Sequence, residues 1–244
     1  MEQLSKLRDA VHWQSALVQY RTVLDAKTSK SRKRDEIRQL DQWYQETLPR
    51  SVQQRSPMHL TLPDLVKLME WKLARGKFRP RLGQLVKENE DDRVVRVTTE
   101  AFQLASGEGN LKEAVSRLTE LKAVGPATAS AILCTGVPEI APFLADESAA
   151  CMFQDLGKVQ YTLSYYLSYA RLLVEKADEL NKADDSESDW TAHSVELALW
   201  TVHTAEKIGL PLKISDDEKV RKRMERKRCL TNEEDEKETV SKNK

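Results

Sequence analysis

The stretch "LTELKAVGPATASAIL", running from Leu118 to Leu133, decides how the chain folds. Leu118, Leu121 and Val124 close one helix on an apolar face, Gly125 turns the chain, and Pro126 opens the next helix. Proline suits that place because its φ is already helical and it has no amide hydrogen to leave unpaired. The helix that follows begins with open N–H groups and partial positive charge, which suit a phosphate oxygen, and a glycine beside them lets a polynucleotide backbone come close. Ala127, Ala129 and Ala131 are small enough for two antiparallel helices to pack tightly. On its own the motif reads equally as a plain helix–turn–helix corner facing water.

Working outward, helical spacing dominates and no segment alternates with period two, so an all-α fold is expected. Helices are expected over 2–26, around Ile37 to Leu48, and from Leu62, where Thr61 and Asp64 in "TLPD" form a capping box with Pro63 in the first turn. A short one follows in "RLGQLVKENE", and others span 91–104, 111–122, 126–133, 147–156, 159–180 and 190–208. "VELALWTV", 195–202, is apolar on nearly every side and reads as a buried closing helix. The expected organisation is accessory N-terminal helices over 1–58, a helical domain over 59–210, and a charged tail over 211–244. In that tail "KVRKRMERKR" (219–228) and "EEDEKE" (233–238) carry opposite charge with little apolar content, so disorder is expected. The basic run also resembles a nuclear-import signal, which points to the nucleus, with the cytoplasm as a second location.

The 39 basic and 39 acidic residues cancel, so only local clusters can speak about partners. From Lys72 to Lys87 there are six basic residues, Lys72, Arg75, Lys77, Arg79, Arg81 and Lys87, and no acidic one. Such a field attracts phosphates. Trp71 and Phe78 beside it can stack on bases, although Trp71 also suits a core. Tyr161, Tyr165 and Tyr169 recur every four residues and read as the sealed edge of a core. Three scattered cysteines, Cys134, Cys151 and Cys229, fit neither a disulfide framework nor a metal site, and the four histidines have no ligand spacing. No metal or other cofactor is expected, and no apolar run is long enough for a membrane.

The hairpin resembles the helix-hairpin-helix of the DNA glycosylase superfamily, approximately L-x-x-L-x-G-h-G-x-x-T-A-x-x-x-L, on which Leu118, Leu121, Val124, Gly125, Thr128, Ala129 and Leu133 fall. Together with "EWKLARGKFRPRLGQLVK" and "PFLADE" it is similar to a eukaryotic family with this hairpin, a likeness that covers about Leu60 to Cys151. The superfamily places an aspartate needed for base excision some twenty residues after the second glycine, and Asp146 lies 21 positions after Gly125. Glu147 is the alternative, because that spacing shifts by one residue between branches. The resemblance implies a glycosylase-like helical bundle that binds DNA, duplex by expectation, through the backbone amides of Gly125, Ala127 and Thr128 and through Lys72, Arg75, Lys77, Arg79 and Arg81. It implies DNA repair by a monofunctional base-excising hydrolase using Asp146 and water. Ala123 stands where the pattern has its first glycine, and Ala127 where bifunctional members carry the Schiff-base lysine, so lyase chemistry is not expected. The iron–sulfur cysteine loop and the upstream "SQQ" segment are missing. The other reading is a non-enzymatic DNA- or protein-docking module that keeps the fold. Asp146 also reads simply as the cap of a helix starting at Glu147.

Overall fold

A computed structural model describes residues 7, 10–76, 79–107, 109–183 and 189–213. Lys77, Phe78, Cys229 and the tail from 214 onward, with its expected disorder and import-like run, lie outside the described residues. Among the described residues every regular element is helical, as periodicity predicts. The order is α1 (Ala10–Leu17), α2 (Tyr20–Thr28), α3 (Arg34–Gln42), α4 (Leu48–Gln54), α5 (Leu62–Arg75), α6 (Pro80–Leu85), α7 (Asp91–Gly107), α8 (Leu111–Leu118), α9 (Pro126–Leu133), α10 (Asp146–Cys151), α11 (Phe153–Leu156), α12 (Leu163–Ala183) and α13 (Ala192–Ile208). None is both long and apolar enough to cross a membrane.

Local chemistry explains where helices start and break. Thr61 and Asp64 form the expected capping box at α5, with Pro63 in its first turn. The segment expected as one helix over 2–26 is broken at Val18 and Gln19, and the Gln19 side chain donates to Ser15 O at 2.6 Å. Between α3 and α4 the chain widens into a π turn over Trp43–Thr47, where the Leu48 amide donates to Trp43 O. Pro49, in the first turn of α4, has no amide hydrogen to offer the preceding turn, and its ring crowds the carbonyl four residues back. The helix expected over 147–156 is two short ones that meet at Met152, and α12 begins at Leu163 rather than near 159.

One buried cluster runs from Ala10 to Ala205, so the N-terminal helices share a core with the rest. Tyr44, in the π turn, stacks on Trp71 of α5 with ring centroids 3.4 Å apart, and its hydroxyl donates to Ala131 O of α9 at 2.9 Å. The closing helix α13 is buried on most of its circumference and packs against α1, α2, α10 and α12.

This core encloses charge. Arg75, at the end of α5, is 4 % exposed, and its guanidinium carbon stands 4.6 Å from the Trp200 ring centre and 5.4–5.7 Å from those of Phe143, Trp71 and Tyr20. Its Nε donates to Tyr20 Oη at 3.2 Å, and Nη2 lies 3.6 Å from Oε1 of Glu196, which is 0 % exposed. Tyr20 and Trp71 both donate to Asp41 Oδ1, at 2.8 and 2.9 Å. His193 Nδ1 faces Glu196 Oε2 at 3.4 Å, and Nε2 lies 2.8 Å from the amide oxygen of Gln45. Burial would lower the His193 pKa, but the neighbouring Cys134 and Glu196 side chains outweigh it and raise the value to about 10. The buried Arg75 and the half-buried His193 thus balance the buried Asp41 and Glu196.

Removing one member leaves an uncompensated charge, so Glu196→Ala should cost roughly 3–5 kcal/mol in denaturant unfolding. The raised His193 pKa makes its contribution complete below about pH 6.5. That contribution declines by up to about 1.4 kcal/mol per pH unit as pH rises toward the folded value near 10. His193→Gln should flatten that part of the profile, and an unchanged slope would show that His193 is not the titrating group.

Candidate nucleic-acid interface

The turn between α8 and α9 is tight and held in place by side chains around it. Asn89 clamps it from outside: its side-chain oxygen accepts from the Lys122 amide at 2.8 Å and its Nδ2 donates to Lys122 O at 3.1 Å. The next residue, Ala123, has φ of 65°, the one non-glycine with positive φ among the described residues. Ala123 occupies the position where the resembled pattern has glycine, and the backbone adopts a glycine-favouring conformation in spite of the methyl group.

Gly125 then stands at the N-cap of α9 with φ −99° and ψ −178° and no side-chain cap. A Cβ added there meets nothing within 4 Å, so no neighbour fills the space in front of the helix start. Among the described residues the amides of Gly125 and Ala127 meet no acceptor. Thr128 is corrected: its amide donates to Gly125 O at 2.9 Å and its side chain is 3 % exposed, because the first turn of α9 closes on itself.

This helix start opens into a cleft of about 890 Å³, within the size range of small-molecule sites. The cleft collects Lys72, Arg79, Asp146 and Glu147 around Gly125 and Ala127. Two others of the expected basic set do not present their charge there. Arg75 touches the cleft wall, but its guanidinium is enclosed by aromatic rings and paired with Glu196, so it is a core cation and not a phosphate contact. Arg81 is exposed outside the cleft.

Asp146 is the first residue of α10, with Ala145 at the N-cap, so it does not cap a helix beginning at Glu147. Its Oδ1 accepts from the Tyr161 hydroxyl at 2.6 Å, and Arg79 lies over the Tyr161 ring at 5.7 Å. Burial and the neighbouring Arg79 lower the pKa of Lys72, against the pull of Asp146. Glu147 is committed differently: Lys27 Nζ lies 2.9 Å from its Oε1 and also donates to Arg75 O at 3.0 Å. Burial would raise the Glu147 pKa, but Lys27 and Arg75 prevail and lower it.

The segment carrying both carboxylates is fixed from behind by the tyrosines of α12. Tyr166 donates to Pro142 O at 3.2 Å, while the Tyr169 hydroxyl donates to Phe143 O at 3.3 Å and lies 2.8 Å from Ser148 Oγ. Ser130 of α9 accepts from the Leu144 amide at 2.9 Å, which couples this segment to the hairpin. Tyr165, Tyr166 and Tyr169 are buried as the stripe predicts, but Tyr161 precedes the helix, is 42 % exposed and reaches the cleft. Lys27, His203 and Lys207 also line it and were not singled out by sequence reasoning. Lys27 sits in a stretch that reads as a basic linker, and α13 reads as purely buried.

No family model, curated protein or solved structure matches this chain. The site therefore stands on its own geometry. Among the described residues no three His, Cys, Asp or Glu side chains gather to hold a metal ion.

Relieving the left-handed strain at Ala123 should show directly. Ala123→Gly is expected to stabilise the fold by about 1 kcal/mol, read as a rise in Tm of a few degrees. A fall in Tm would mean that the methyl group packs more favourably than its backbone angle costs.

Proposed function

We propose that the chain binds the sugar–phosphate backbone of duplex DNA in this cleft and excises a base as a monofunctional N-glycosylase, with Asp146 as the catalytic carboxylate. The observation that carries the reading is convergence: an uncapped helix start, a set of cations and a carboxylate pair, far apart in sequence, line one cleft. The open amides and Lys72 and Arg79 take phosphate oxygens, which fix register without reading sequence. A nucleotide turned out of the duplex brings its C1′ toward Asp146. As the bond to the base breaks, the base leaves with the bonding electrons and positive charge grows at C1′, where the carboxylate stabilises it. Water adds to C1′ and gives up a proton to the same group. Ala127 offers no amine, so the product is an abasic site and not a nicked strand. On this reading the protein works in DNA repair in the nucleus.

A second reading, DNA docking without chemistry, draws on the hydrogen bond from Tyr161 that already occupies one oxygen of Asp146. Duplexes carrying different damaged bases, screened for binding and for base release, separate the two. Asp146→Asn should reduce excision by roughly 10²–10⁴-fold while binding survives. Binding without excision by the unmodified protein would leave the docking module. Gly125→Val, whose backbone angles suit any residue, should weaken every duplex alike by about tenfold. Unchanged binding in the folded variant would exclude the contact at the helix start.

A further inference from the structure

Several surface cations find carboxylates, as in Arg55 with Asp64 at 2.7 Å, Arg117 with Glu100 at 3.1 Å and Lys122 with Glu88 at 3.2 Å. Among the cations lining the cleft, Lys27 pairs with Glu147 and Arg75 with Glu196. Among the described residues Lys72, Arg79 and Lys207 have no carboxylate at ion-pairing distance, although Asp146 and Glu147 share the same walls. Unpaired positive charge gathered in a concave site suits an anion from outside.

These side chains fall into two groups on different helices. Lys72 of α5 lies close enough to Arg79, just before α6, and to Asp146 to feel the charge of both. His203 and Lys207, one turn apart on α13, sit with Glu147 of α10 and Lys27 of α2. Phe143 and the two carboxylates complete the lining. A ligand with one phosphate needs only one such group; a nucleotide inside a strand has a phosphodiester on either side.

We propose that His203 and Lys207 form a second phosphate subsite, so that the cleft holds a nucleotide within a strand, one flanking phosphate at Lys72 and Arg79 and the other at α13. The assignment rests on the nucleic-acid reading above. Lys207 supplies the charge. His203, whose pKa is held down mainly by burial, donates a hydrogen bond as a neutral imidazole near pH 7. Each phosphate contact releases condensed counterions, so the second subsite adds to the salt dependence of binding.

Fluorescence anisotropy with a labelled duplex across a salt series tests this, with a 2′-deoxynucleoside 3′,5′-bisphosphate and the corresponding 5′-monophosphate as competitors. Lys207 is exposed and has no carboxylate partner among the described residues, so Lys207→Ala should fold normally, checked by its melting curve. It should bind roughly tenfold more weakly, with a log–log salt slope shallower by about one. Lys207→Arg should restore both, and Lys182→Ala, on α12 outside the cleft, should change neither. The bisphosphate should compete better than the monophosphate against the unmodified protein and lose that advantage in Lys207→Ala. A duplex held equally well by Lys207→Ala and Lys182→Ala, or equal competition by the two nucleotides, overturns the subsite and leaves the DNA reading standing. Absence of any salt-sensitive duplex binding by the unmodified protein removes that reading and the subsite with it.

Discussion

The buried guanidinium of Arg75 is the constraint around which the molecule is arranged. A cation removed from water needs opposite charge and polarisable surroundings, and here four aromatic rings and Glu196 provide them from four places in the chain. Tyr20 comes from α2, Trp71 from α5 itself, Phe143 from the segment after the hairpin, and Trp200 with Glu196 from α13. Each partner fixes the approach of its own element. The same carboxylate accepts from Ser148 Oγ at 3.3 Å, two residues beyond Asp146, so the charge balance of the core also orients the wall of the cleft.

That arrangement also explains why the two neighbouring carboxylates have different prospects. Glu147 faces inward along the Lys27 and Arg75 side, where ion pairing holds it ionised and occupied. Asp146, one residue earlier, lines the cleft, and its Oδ1 accepts from the Tyr161 hydroxyl. Consecutive residues at a helix start point in different directions, and the surrounding charges divide the work between them.

How much of this was legible in the sequence follows from the range of the interactions involved. Local signals read correctly: the Thr61–Asp64 capping box, the proline start of α9, and the apolar Leu118, Leu121 and Val124 depend on residues a few positions apart. Asp146, Lys72 and Arg79, singled out in the sequence, line one cleft with Gly125. Arg75 was misplaced because it sits in a basic run and because its partners Tyr20 and Glu196 are far away in sequence. Nothing near Arg75 announces a buried cation. Tyr161 was assigned to the helical stripe because its spacing from Tyr165 is right, yet the helix begins only at Leu163, which frees the ring to turn toward Asp146. His203 and Lys207 were hidden by the apolar character of α13, whose narrow polar edge reaches the cleft only because α10 and α2 pack beside it.

Ala123 carries the same lesson in the backbone. Judged by composition, an alanine in place of a glycine argues against the tight turn that glycine permits. The chain makes the turn regardless, with φ of 65°, because its flanks leave little choice. Asn89 holds both backbone groups of Lys122, while Leu121 and Val124 are locked in the core on either side. Each contact is modest, but together they exceed the roughly 1–2 kcal/mol that a left-handed alanine costs. An alanine can therefore hold a backbone angle that favours glycine when the surrounding packing is strong enough to impose it. The open amides of Gly125 and Ala127 owe their direction to that packing as much as to Gly125 and Pro126 themselves.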